Sequence, residues 1–110
     1  MVFFGYMMGS KLVGVTGLQR VKDVILIRHT YVMRGWQRKG IGSKLLRHAL
    51  KLATTKRVLV GTWADASWAI NFYRRHGFEL LPNKDELLRR YWQIPDRQRE
   101  VSVVLGLEVE

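Results

Sequence analysis

The chain has no cysteine. A disulfide scaffold and a thiolate metal site are therefore excluded, and no metal is expected. Proline occurs only twice, and both sites read as breaks: Pro82-Asn83 ends a strand and Pro95-Asp96 forms a turn. No apolar run approaches the ~20 residues of a membrane span. Residues 2–8 form one of the longest, and they lack a basic leader and a small-residue cleavage site. A cytoplasmic protein without membrane partners is the expectation. Acidic residues are also scarce. Nine Asp and Glu face nineteen Lys and Arg, a formal charge of +10. Between Asp23 and Asp65 there is no carboxylate at all, so an anionic partner should meet the middle of the chain.

What is present suits one globular domain. The 110 residues are 47% hydrophobic, enough for a single core and too few for two. Residues 2–8, 12–18 and 24–33 read as three strands with short turns, an antiparallel meander. Arg28 and His29 interrupt the otherwise apolar third strand. Ile41, Leu45, Leu46, Ala49, Leu50, Leu52 and Ala53 have helical spacing, with Lys44, Arg47, His48 and Lys51 on the other face. Residues 58–60 are a short buried-type strand, so strand, helix and strand predict a parallel crossover. A second helix, capped by Asp65 or Ser67, carries Trp68, Phe72 and Tyr73 and stops at Gly77. A strand at 78–81, a helix at 84–92 and a strand at 101–109 complete the chain. No repeat, linker or low-complexity tract interrupts it, so residues 1–110 are expected to form a single α/β domain.

The most informative segment is Gly35-Trp36-Gln37-Arg38-Lys39-Gly40-Ile41-Gly42-Ser43, between the long strand and the amphipathic helix. Glycines let backbone approach a ligand closely. The helix start adds free N–H groups and the positive end of its dipole, a site for phosphate. A dinucleotide fingerprint fails because Leu45 stands where its third glycine belongs. A P-loop fails because Ile41-Gly42 follows the glycine gap in place of Lys-Ser or Lys-Thr. A third pattern fits throughout: Gln or Arg, two residues, Gly, one residue, Gly or Ala, here Gln37-Arg38-Lys39-Gly40-Ile41-Gly42.

That loop resembles the acetyl-CoA pyrophosphate loop of the GNAT superfamily of N-acetyltransferases. A second element agrees and follows in the right order. Ala69-Ile70-Asn71-Phe72-Tyr73-Arg74-Arg75-His76-Gly77-Phe78 is similar to the family's Ala-x-x-Phe-Tyr-x-x-x-Gly-Phe segment. The resemblance implies a mixed, mostly antiparallel GNAT-like sheet with a strand-helix-strand acetyl-CoA core. It also implies acetyl transfer from acetyl-CoA, as cosubstrate, to a primary amine by direct attack on the thioester. Backbone groups of Tyr31, Val32 and Met33 would pair with the pantetheine arm. Gln37 and the N–H groups from Arg38, Lys39, Gly40, Ile41, Gly42 and Ser43 would hold the pyrophosphate. Tyr73 is the implied general acid.

The chain departs from the family's pattern in three places. The usual strand carboxylate is missing, which leaves His29 as the titratable group suited to act as base, with Asp23 as a weaker candidate. An acceptor amine of low pKa would need no base. A buried, satisfied histidine is the commoner fate of His29 in such a strand. The family's cofactor-contacting Asn position is Ala66, for which Asp65, Ser67 or Asn71 would have to compensate. The family's usual first strand and two helices have no counterpart before residue 2. An uncovered apolar strand there leads to the expectation of a homodimer. Trp63 and Trp68 flank the turn before the second motif and could line a substrate or cofactor groove, although packing against the sheet is the commoner fate of such residues. Arg74 and Arg75 could meet the nucleotide phosphate. Tyr91 and Trp92, in the 84–99 segment, could shape an acceptor pocket. Two other classes compete: a non-catalytic acyl-CoA-binding sensory module, and a basic nucleic-acid-binding domain, for which no recognisable signature is present.

Overall fold

The computed structural model describes residues 1–109. Six strands form one sheet: β1 (Val2–Met8), β2 (Lys11–Val21), β3 (Val24–Val32), β4 (Arg57–Trp63), β5 (Glu79–Leu80) and β6 (Ser102–Glu108). Their spatial order is β1-β2-β3-β4-β6-β5. Only β3 and β4 run parallel; every other neighbouring pair is antiparallel. Four helices complete the fold: α1 (Ile41–Leu52), α2 (Ser67–Arg75), α3 (Lys84–Tyr91) and α4 (Asp96–Glu100). The expected mixed, mostly antiparallel sheet with a β3-α1-β4 crossover is what the chain builds.

The central strands are apolar on both faces because both faces are covered. Ile25, Ile27, Val58 and Val60 pack with Leu46 and Ala49 of α1 and with Tyr73 and Phe78. Alternate residues Val24, Leu26 and Leu59 point the other way, onto Leu87, Leu88 and Tyr91 of α3. The period of two along β3 thus splits one apolar run between two cores. At the sheet edge, β1 is less protected: Val2, Phe3 and Met7 are all more than half exposed.

Three local expectations need correction. The residue before α2 is Ala66, with no side-chain cap, so neither Asp65 nor Ser67 caps that helix. The Ile70 amide makes the first intrahelical bond, to the Ala66 carbonyl at 3.0 Å, and Ala66 is buried. Pro95-Asp96 is not a simple turn. Pro95 precedes α4 and its fixed φ suits a helix start. Tyr91 does not shape an open pocket. It is buried, and its hydroxyl donates to the Asp23 carboxylate at 2.7 Å, tying α3 to the β2–β3 turn.

Two leucines test this packing. Leu59 is fully buried and Leu52 is 48% exposed at the end of α1. Leu59→Ala should cost about 2–5 kcal/mol, and Leu52→Ala less than about 0.5 kcal/mol. Urea denaturation of the two variants measures both; equal losses would contradict the placement of the core.

Candidate active site

The site begins where two strands part. β3 and β4 pair only from Val24↔Arg57 to Ile27↔Val60. β3 continues to Val32 and β4 to Trp63 without pairing each other. A bulge accompanies the parting. On the other side of β3, Val15 faces Tyr31 and Gly17 faces Arg28, so the single residue Thr16 opposes both His29 and Thr30. His29 takes the left-handed conformation, φ 56°. The Thr16 and Thr30 hydroxyls bond each other at 2.9 Å across the bulge. The free edge of β3 is therefore a row of backbone groups available to an extended ligand.

The glycine loop closes one end of this wedge. Gly35, Arg38 and Gly40 all have positive φ, and Gly40 at φ 79° leads directly into α1. Lys44 N–H is bonded to Gly40 O at 3.0 Å. The N–H groups of Ile41, Gly42 and Ser43 precede it in the first turn and have no intrahelical acceptor. Gln37 donates its side-chain amide to the Val32 carbonyl at 3.0 Å, which fastens the loop to the end of β3. Gly42 lies against the Phe72 ring, and a methyl group there would make ordinary 3.5 Å contacts. That explains physically why the pattern admits Gly or Ala at this position.

A groove of about 670 Å³ runs from the β3 edge to this loop. Tyr31, Val32, Gln37, Arg38, Gly40, Ile41, Gly42 and Ser43 line it, together with Tyr73. Met33, Lys39 and Asn71 do not. Met33 is drawn into the small cluster around Val13, Ile41 and Leu45. Lys39 and Asn71 are exposed. The sequence reading missed Thr30, Trp36 and Phe72, which also line the groove. Trp68 lines it while 75% exposed, the rarer of the two alternatives, and Trp63 is 53% exposed, so neither packs into the core. Arg75 reaches the groove and Arg74 does not.

A second cavity of about 360 Å³ joins the first. Thr30, Ala69 and Tyr73 line both. Arg28, His29, Thr62, Trp92, Ile94 and Gln98 line the second one. His29 is thus no buried strand histidine: the bulge turns it outward, exposed, with its ring centroid 6.2 Å from that of Phe3. Tyr73 sits where the two spaces meet, 7% exposed and edge-on to Phe72 and Phe78. Burial pushes its phenol above the usual range, and the Thr30 side chain offsets part of that rise.

The two helices that carry the groove are linked by side chains. The Ser43 hydroxyl, at the start of α1, bonds His76 Nε2, just past the end of α2, at 2.9 Å. Desolvation, with the Arg47 and Arg75 charges, lowers the His76 pKa. The folded protein therefore binds this proton less readily than the unfolded chain. Its contribution to stability is complete above the unfolded value of about 6.5 and is lost as pH falls through the lowered folded value.

Two predictions follow from this geometry. Gly40→Ala forces a side chain into the left-handed region and should cost about 1–2 kcal/mol, whereas Gly42→Ala should be nearly neutral. Chemical denaturation separates them, and equal effects would contradict the loop conformation. The melting temperature of the wild type should fall as pH is lowered below about 6.5. His76→Gln should flatten that fall, and an unchanged pH profile would remove His76 from it.

The fold superposes on the ribosomal-protein-S18-alanine N-acetyltransferase from Escherichia coli with a TM-score of 0.77 and 19% identity, over 99% of this chain and 69% of that one. A Bacillus subtilis acetyltransferase in complex with CoA matches with a TM-score of 0.74 and 25% identity, over 98% and 76% of the respective chains. A GNAT family acetyltransferase from Elizabethkingia anophelis with acetyl-CoA bound matches with a TM-score of 0.76 and 18% identity, over 96% and 74%. No curated protein matches in a sequence search. A family model for the acetyltransferase (GNAT) domain matches residues 2–80. With most of its length covered by that model, and the glycine loop and the Tyr73 segment both inside it, the chain belongs to the GNAT acetyltransferase family.

Proposed function

We propose that the protein is an acetyl-CoA-dependent N-acetyltransferase that acts on a primary amine. One observation carries this reading: a long groove and a smaller cavity meet at a buried tyrosine, Tyr73. Acetyl-CoA has been seen on a relative, the Elizabethkingia anophelis enzyme. The groove here fits such a molecule. It offers the unpaired edge of β3 for an extended arm and the N–H groups of Ile41, Gly42 and Ser43 for a pyrophosphate. At Gly40 the backbone is left-handed and no atom lies within 4 Å of where a Cβ would stand. Arg38 and Arg75 add positive charge along the same wall.

Bound acetyl-CoA supplies an activated thioester, from which a neutral amine displaces the coenzyme A thiolate. The residues divide the remaining work. Tyr73 is kept protonated by burial, so its hydroxyl can donate a proton to the departing sulfur. In this reading His29, which lines the second cavity, accepts the proton that the amine must lose. Thr30, held by Thr16, fixes the backbone between them.

Tyr73→Phe tests the central role. The variant should keep acetyl-CoA binding, read as a thermal shift corresponding to about 2.7 kcal/mol at a hundredfold excess over the dissociation constant. Its rate of coenzyme A release should fall by about 10²-fold or more. Unchanged turnover over a range of pH would remove Tyr73 from the acid role. Acetyl-CoA binding without coenzyme A release from any amine would make the wild type a binding module instead of an enzyme.

A further inference from the structure

The second cavity carries information about what enters it. Its volume, about 360 Å³, is at the lower end for small-molecule sites. Trp92 and Ile94 give it an apolar wall, and Thr62 and Gln98 give it neutral polar groups. Among the described residues no Asp or Glu lines it. A cavity built for a polyamine or a lysine-rich segment would need acidic groups to receive the additional positive charge.

Among the described residues Arg28 is the one arginine or lysine on its wall. It is half-buried on β3, one residue before the bulge. Among the described residues no carboxylate lies within ion-pair distance of it. Its Nη1 donates to Gln19 Oε1 at 2.9 Å. That neutral bond orients the guanidinium without cancelling its charge, and among the described residues no other side-chain acceptor is bonded to the fork. A partly desolvated arginine is costly to keep without a counter-ion. Here the charge lies beside the cavity where the acceptor amine would bind, and a planar fork matches a carboxylate in two parallel hydrogen bonds.

We propose that the acceptor is a small amino acid-type molecule, with Arg28 binding its carboxylate while its amine faces the junction at Tyr73. The inference rests on the acetyltransferase reading above and adds the substrate class. Arg28 determines specificity and takes no part in proton transfer.

The experiment measures coenzyme A release from acetyl-CoA with the standard L-amino acids, their α-carboxamides and the corresponding decarboxylated amines. At least one amino acid should exceed its own carboxamide in kcat/KM by about tenfold or more, through a lower KM. Arg28→Gln should bring that ratio toward one, and Arg28→Lys should restore it only in part. The wild-type ratio decides the matter even if a variant folds poorly. Carboxamides or simple amines turned over as well as amino acids would overturn the carboxylate site and leave acetyl transfer standing. Acetyl-CoA binding without turnover of any acceptor would overturn both.

Discussion

The separation of β3 from β4 after Ile27 and Val60 is the constraint on which the site depends. Parallel pairing holds the two strands together over four residue pairs and buries their side chains in both cores. Beyond that point hydrogen bonding between them stops, yet both strands continue. The bulge at His29 and Thr30 keeps β3 paired to β2 while it leaves β4. A left-handed non-glycine residue such as His29 costs of order 1–3 kcal/mol. That strain coincides with the junction of the two cavities, which is where a functional constraint would retain it.

The same separation opens an otherwise ordinary helix start onto the groove. α1 follows the glycine loop, and its N-terminus opens onto the groove because β3 has moved aside. Gln37 holds the loop against the last carbonyl of β3, and Ser43 holds α1 to His76 beyond α2. Loop, strand edge and tyrosine are thus joined by hydrogen bonds as one unit. The +10 charge has a partial structural account: Arg38 and Arg75 line the groove, and Arg28 lines the adjoining cavity. Lys39, Arg74 and much of the remaining excess stand on exposed surface.

Much of this architecture was legible in the sequence because it rests on local rules. The apolar period of α1 and the unbroken apolar run of residues 24–27 each have a cause within a few residues. The glycine pattern was legible for the same reason, since positive φ at Gly40 and close approach at Gly42 need specific residue types. The bulge was not. Arg28 and His29 marked an irregularity in the strand, but which of them turns outward depends on pairing with Thr16 on another strand. Asn71 is exposed and outside the lining of the groove, and nothing nearby in sequence distinguishes it from Phe72, which lines it. The contacts between Ser43 and His76 and between Tyr91 and Asp23 join residues 33 and 68 positions apart, and no local pattern encodes them.

The central claim is that the parted β3 edge and the α1 N-terminus hold acetyl-CoA together. Titrating the ¹⁵N-labelled protein with acetyl-CoA and following backbone amide resonances tests it most directly. The largest shifts should fall on residues 28–32 and 38–43, with Tyr73 and its neighbours next. Shifts confined to other basic surfaces, such as residues 84–99, with the β3 edge and the glycine loop unmoved, would contradict it.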